Sequence, residues 1–187
     1  MALRPDMQTD FVVRDASPDD AEAVATIYVD SWNAGFGHLM GKKEFDSELI
    51  ERWRATLSGA PPARWWVAPQ DGAIHGFVGI GSCRDPADTT LGEVDTIAVD
   101  PDHLRIGVGR VLMRRALEYL RLDGYREGRL WTFAEYPRAA AFYESMGWSG
   151  FYPARADTSE KAHLGPGGVS WKSEGSTARN LSVRRSG

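Results

Sequence analysis

The chain reads as an α/β (or α+β) fold, and three observations predict it. Short apolar runs alternate with stretches of helical period. The runs at 65–68, 74–80, 93–99 and 130–133 have strand length. Asp71-Gly72 stands between the first two as a hairpin signal.

The elements follow in order. Residues 11–13, Phe-Val-Val, begin a first strand. Ser17-Pro18-Asp19-Asp20 supplies an N-cap, a proline at the first helical position and acid in the first turn. Ala21, Val24, Ala25, Tyr28 and Trp32 then share one helical face, and Gly35-Phe36-Gly37 closes it. Phe45, Leu49, Trp53 and Leu57 recur every four residues, a second helix closed by Ser58-Gly59 and Pro61-Pro62. After the two hairpin strands, 84–90 is polar and turn-rich, a loop. Strand 93–99, EVDTIAV, stops at Asp100-Pro101. Val111, Leu112, Arg115, Ala116, Tyr119 and Leu120 pattern as a helix with Gly124 just past its end. A strand at 130–133, a short helix at 137–146 ended by Gly147, and a strand at 148–152 follow. From Asp157 the pattern fails. Gly165-Pro166-Gly167-Gly168 reads as a loop and 169–172 as one last short strand. Residues 1–172 are therefore expected to form a single domain, and 173–187, rich in Ser, Gly and Arg, a flexible polar tail.

Composition narrows the class of function. A chain of 187 residues suits one domain, and 42% apolar residues with seven Trp, six Tyr and seven Phe suffice for a core. The net charge of −4 argues against a surface built for nucleic acid or a membrane. The lone Cys83 can form no intramolecular disulfide and no cysteine metal cluster; of its two readings, a small buried hydrophobe or a nucleophile, the first is favoured because no G-x-S-x-G-like elbow or cysteine motif surrounds it. No apolar run approaches the ~18 residues of a membrane span, and no signal-peptide core is seen, so a cytoplasmic protein is the expectation. The histidines at 38, 75, 103 and 163 form no metal spacing, so no metal is expected.

The chemistry points to residues 103–113, HLRIGVGRVLM. Small residues let backbone N–H groups approach an anion, and a helix start adds its positive dipole end. Arg105 and Arg110 can add charge-assisted bonds to phosphate. A strand–Gly-x-Gly–helix junction is also a common packing solution. Two nucleotide motifs are excluded. Leu112 stands where a dinucleotide fingerprint needs a third glycine, and no G-K-[ST] occurs for a P-loop.

The wider context resembles the GNAT superfamily of acyl-CoA-dependent N-acyltransferases. EVDTIAV-D-P leading into HLRIGVGRVLM resembles its motif A. RLWTFAEYPRAAAFYESMGW resembles its later strand–helix block, and Val13-Arg14 with SPDDAEAVATIYVDSW resembles its first strand and helix. The likeness covers about 11–152. It implies a mixed, mostly antiparallel twisted sheet of six to seven strands flanked by about four helices. It implies acetyl-CoA as cosubstrate and no metal. Ile97, Ala98 and Val99 would pair with the pantetheine arm. The pyrophosphate would rest on the amides from Arg105 to Arg110, through Ile106, Gly107, Val108 and Gly109, with Leu104 contributing its backbone. Ala139 and Tyr136 would flank the cofactor, Tyr136 standing where the family often has Asn.

The implied reaction is direct attack of a primary amine of a small molecule or peptide on the thioester. Tyr143 matches the general-acid tyrosine that protonates the departing thiolate, against a bland reading as a half-buried aromatic. Glu93 matches a water-relaying base. Asp95 should share its face by the period of two and could bind a cationic substrate. Acids at a strand start are otherwise simply solvated. Trp32, Phe36 and His38 lie where the family places substrate, although such aromatics are often core. The family also often pairs as a homodimer through its C-terminal strands. The alternative is a catalytically silent acyl-CoA-binding sensor or accessory module.

Overall fold

The computed structural model describes residues 11–83, 91–125, 127–133, 137–152 and 166–172. Its strands are β1 (Arg14–Asp15), β2 (Arg64–Gln70), β3 (Ala73–Ser82), β4 (Gly92–Val99), β5 (Glu127–Phe133), β6 (Ser149–Tyr152) and β7 (Pro166–Lys172). Its helices are α1 (Ala21–Gly35), α2 (Gly37–Met40), α3 (Ser47–Leu57), α4 (Val108–Leu122) and α5 (Pro137–Ser145). Single 3-10 turns precede α1 at Pro18–Asp20 and α4 at Pro101–His103. The strands form one sheet in the order β1-β2-β3-β4-β5-β7-β6. All neighbours are antiparallel except β4 and β5.

Alternation along the strands divides the core between the two faces of this sheet. Trp66 and Val78 join one cluster with Leu112, Met113, Ala116 and Leu120 of α4. Their neighbours Val67 and Phe77 join the other, with Val24 and Ala25 of α1 and Trp53 of α3. Successive strand residues point to opposite faces, so the same two strands hold both layers together. On α4 the buried stripe is Val108, Leu112, Met113, Ala116, Leu117 and Leu120, the i, i+4, i+8 pattern of a helix seated on a sheet.

Local chemistry sets the ends of the elements. Asp46 caps α3 by accepting from the Leu49 amide at 2.7 Å. Asp71 (φ 51°) and Gly72 (φ 82°) make the expected turn between β2 and β3. Gly124 (φ 88°) follows the C-cap of α4 as expected.

Three expectations need correction, and one element end holds. The first paired strand is Arg14–Asp15 rather than 11–13; Val12 is exposed, and pairing begins where Arg14 meets Val67. Gly35-Phe36-Gly37 closes α1 as expected, with Phe36 as its C-cap donating to Trp32 O at 2.7 Å, and the short α2 follows directly. α2 in turn stops at Gly41, with φ 83°. Phe45 is exposed and precedes α3, so the buried face of that helix is Leu49, Trp53 and Leu57. Pro166-Gly167-Gly168 belongs to β7, where Gly168 pairs with Trp131 and Gly167 with Thr132; antiparallel pairing to β5 overrides the loop chemistry of those residues. The expected tail at 173–187 lies outside the described residues.

Candidate active site

The site is opened by two irregularities of β4. Its parallel pairing with β5 consists of Gly92↔Gly128, Glu93↔Arg129 and Val94↔Leu130, and goes no further. Beyond that point β4 runs on to Val99 and β5 to Phe133 as separate arms. On the other edge, Gly79 pairs with Thr96 and Ile80 with Val94, which leaves Asp95 as an extra residue, a β-bulge. The bulge inverts the alternation, since Val94 and Ile97, three apart, both pack into the α4-side cluster. Asp95 is exposed, whereas Glu93 is 1% exposed.

The arms of β4 and β5 open onto a cavity of about 620 Å³. Among the residues singled out in the sequence, Ile97, Ala98, Val99, Leu104, Arg105, Gly107, Gly109, Arg110, Ala139 and Tyr143 line it, with Trp32, Phe36 and Asp95. Ile106 and Val108 do not: the first is solvent-exposed and the second is buried in the core. Glu93 and His38 also lie outside the lining, His38 exposed on α2. Tyr136 falls outside the described residues, as does His163.

The wall includes residues that the sequence reading passed over, among them Tyr28, Ser31, Thr96, Leu130, Thr132, Arg138 and Phe142. Tyr28 was findable, because it stands one turn before Trp32 on the same helix. Phe142 is not simply core, for it packs against the cluster and also faces the cavity. Thr132 carried no signal, since its role depends on where β5 parts from β4. The charged lining among the described residues is Asp95 with Arg105, Arg110 and Arg138.

The loop into α4 has an unusual backbone. Arg105 adopts φ 67° and Gly107, the N-cap of α4, φ 105°. The carbonyl of Gly107 accepts from the amides of Arg110 and Val111, at 3.0 and 3.1 Å. The amides of Val108 and Gly109 precede these, and no described residue accepts from them. A side chain at Gly109 would start 3.4 Å from Phe142 and 3.5 Å from Val99, so a small residue lets the helix start close on β4 and α5. A helix start with open amides, flanked by Arg105 and Arg110, favours an anion.

Tyr143 sits in the last turns of α5 and is buried. Its ring meets Phe142 edge-on at 5.4 Å and Trp148 at 6.4 Å, and its carbonyl accepts from the amides of Met146 and Trp148. Across the cavity, the Trp32 and Phe36 rings meet at a tilt of 56° with centroids 5.4 Å apart, and the Tyr28 ring lies 6.5 Å from Trp32. The segment after α2 is tied to this wall. Trp32 Nε1 donates to Gly41 O at 3.0 Å, and Asn33 exchanges two hydrogen bonds with the Lys43 backbone. The Lys43 ammonium consequently lies 4.2 Å from the Trp32 ring and 5.0 Å from the Tyr28 ring. These rings accept a cation on their faces.

Residues 21–148 match the family described as Acetyltransferase (GNAT) family. The chain belongs to the GNAT acetyltransferases. The chain is similar to the uncharacterized N-acetyltransferase YuaI of Bacillus subtilis; the two are 25% identical over 138 residues, 71% of this chain and 77% of that one. The chain spans between 29% and 60% of the length of seven further curated relatives. Two solved structures share its fold. The PaiA N-acetyltransferase of Thermoplasma acidophilum, in complex with coenzyme A, superposes with a TM-score of 0.65 at 16% identity, covering 88% of this chain and all of that one. The yncA protein of Salmonella typhimurium, solved with its cofactor acetyl-CoA, gives 0.66 at 17% identity, covering 93% and 100%. The GNAT chain has no helix, among its described residues, long and apolar enough to cross a membrane.

Proposed function

We propose that this GNAT chain transfers the acetyl group of acetyl-CoA to a primary amine of a small molecule or peptide by direct attack. One observation carries the reading. The gap between β4 and β5, the open helix start at Gly107–Gly109 and the Tyr143 ring all face one cavity. The pantetheine arm then pairs with the free edge of Ile97–Val99, and the pyrophosphate rests on the amides of Val108 and Gly109 beside Arg105 and Arg110. Arg138, which also lines the cavity, adds positive charge for the cofactor phosphates.

An alkyl ammonium titrates near ~10 by analogy with lysine, so it must lose a proton before attack. Asp95, exposed at the bulge and lining the cavity, meets the ammonium. Glu93 lies outside the lining, so it takes the proton through a bridging water. The nitrogen forms its bond to the thioester carbon, and the oxyanion is held by the backbone N–H of Ile97 or Ala98. The C–S bond then breaks, Tyr143 O–H protonates the thiolate, the excess proton left on the nitrogen passes back to the Tyr143 phenolate, and amide and free thiol result. Trp32, Phe36 and Tyr28 wall the acceptor side.

Thiol release from acetyl-CoA across amino acids, polyamines, aminoglycosides and peptide N-termini tests this reading. Turnover with at least one amine is expected. Tyr143→Phe should lower kcat by ~10²-fold or more, as expected for a lost general acid, with coenzyme A affinity nearly unchanged. Cofactor binding without turnover on any amine would leave the silent binding module standing instead.

A further inference from the structure

The spacing of the histidines shows no metal site, yet the fold brings two of them to one carboxylate. His75 lies near the start of β3, Asp100 directly after β4, and His103 in the 3-10 turn that leads to α4. The Asp100 amide donates to His75 O at 2.9 Å, which fixes the two backbones against each other. Asp100 Oδ2 is 2.8 Å from His103 Nδ1 and 4.0 Å from His75 Nδ1. One ligand atom from each of the three residues lies within 4.8 Å of the other two.

His75 is the decisive member. It is only 9% exposed, and its Nδ1 is enclosed with no hydrogen-bond partner among the described residues. A buried polar atom left this way normally has a partner, either protein, water or ion. The other Asp100 oxygen accepts the Asp102 amide at 3.0 Å, which orients the carboxylate toward the two rings.

We propose that His75, Asp100 and His103 bind one divalent first-row transition metal ion of the zinc class. Two imidazoles with one carboxylate suit zinc, cobalt or nickel, whereas calcium and magnesium prefer sets made wholly of oxygen. Tetrahedral bonds of about 2.0–2.1 Å put ligand atoms roughly 3.3 Å apart, and the separations of 2.8 and 4.0 Å bracket that value. The rings stack at 3.9 Å between centroids, so they must splay for both to reach one ion. His103 is the ring that moves, because its side chain is 37% exposed on a short turn while His75 is held in the sheet. A three-residue set leaves the fourth position to water. None of the three residues lines the cavity, so the ion is a staple between β3 and the turn entering α4 rather than part of the acetyl transfer.

Full-length, tag-free, chelator-treated protein titrated with cobalt(II) tests the site by visible absorption, with zinc competition followed by calorimetry. One ion per chain is expected, with a tetrahedral-type cobalt band that zinc displaces. Zinc should raise the melting temperature of the wild-type chain. His103→Ala and Asp100→Asn should each weaken cobalt binding at least tenfold and remove the zinc-induced shift, while His38→Ala leaves both unchanged. His103 is partly exposed, so its variant should keep the circular dichroism spectrum of the native fold even if a His75 variant does not. No saturable binding, or equal affinity in a folded His103→Ala chain, would overturn the site.

Discussion

Gly107 shows how much one residue decides in this site. Its φ of 105° belongs to the region that L side chains avoid, and a Cβ placed there would meet nothing within 4 Å. The space beside it is open, and the helix start behind it offers amides. Alanine at this position should therefore cost only ~1 kcal/mol of backbone strain and change coenzyme A affinity less than tenfold. Gly107→Glu should weaken binding by ~100-fold or more, about 2.7 kcal/mol, because a carboxylate would stand at the proposed pyrophosphate position. Calorimetric titration of both variants separates strain from charge, and unchanged affinity in Gly107→Glu would show that the phosphate lies elsewhere. The glycines, Arg105, Arg110 and Tyr143 could be read from the chain because each sits in a local motif. Thr132 and the meeting of His75 with His103 could not, because they are set by strands and turns that are distant in sequence.

At the level of elements, the junction of β1 with α1 rests on a single carboxylate. Asp20 is buried, and the Arg14 guanidinium grips it from two nitrogens, at 2.7 and 2.8 Å. The Ser17 amide adds a bond at 2.8 Å. The Arg14 hydrogen bonds hold the Asp20 carboxyl below its ordinary range, outweighing the opposing effect of burial. A depressed folded value means stability present above the unfolded value of about 3.9 and lost as pH falls through the folded one. Asp20→Asn should cost ~1–2 kcal/mol near neutrality, discounted because Arg14 is half exposed to solvent. The gap between wild-type and variant melting temperatures should stay constant above about pH 5 and narrow only below pH 4; a gap that widens in acid would contradict this. The Ser-Pro-Asp-Asp signature predicted this helix start well, as apolar period predicted α1, α3, α4 and the hairpin. The bulge at Asp95 was illegible, because it depends on which β3 residue each β4 residue meets. The strand character of Pro166–Gly168 was hidden for the same reason: it comes from the partner β5.

For the whole molecule, the sheet makes its two apolar layers interdependent. Trp66 and Phe77 serve opposite clusters from adjacent strands, and the neighbours Val67 and Val78 do the reverse. Neither layer can lose its packing without exposing the back of the other, so the chain should melt in one calorimetric transition, as expected for a single domain. The cavity is bounded by α1 on one side, by α4 and α5 on another, and by β4 and β5 between them. A ligand seated there touches both layers and should stabilise the whole unit rather than one lobe. At a coenzyme A concentration about 100-fold above Kd the linkage amounts to ~2.7 kcal/mol. For a chain of this size each kcal/mol moves the melting temperature by roughly 2–4 °C, so a shift of about 5–11 °C is expected. Scanning calorimetry with and without coenzyme A reads both quantities. Two transitions, only one of which moves with ligand, would show that the layers fold independently; a single transition that moves by the full amount, and fails to move in Gly107→Glu, ties global stability to the α4 helix start.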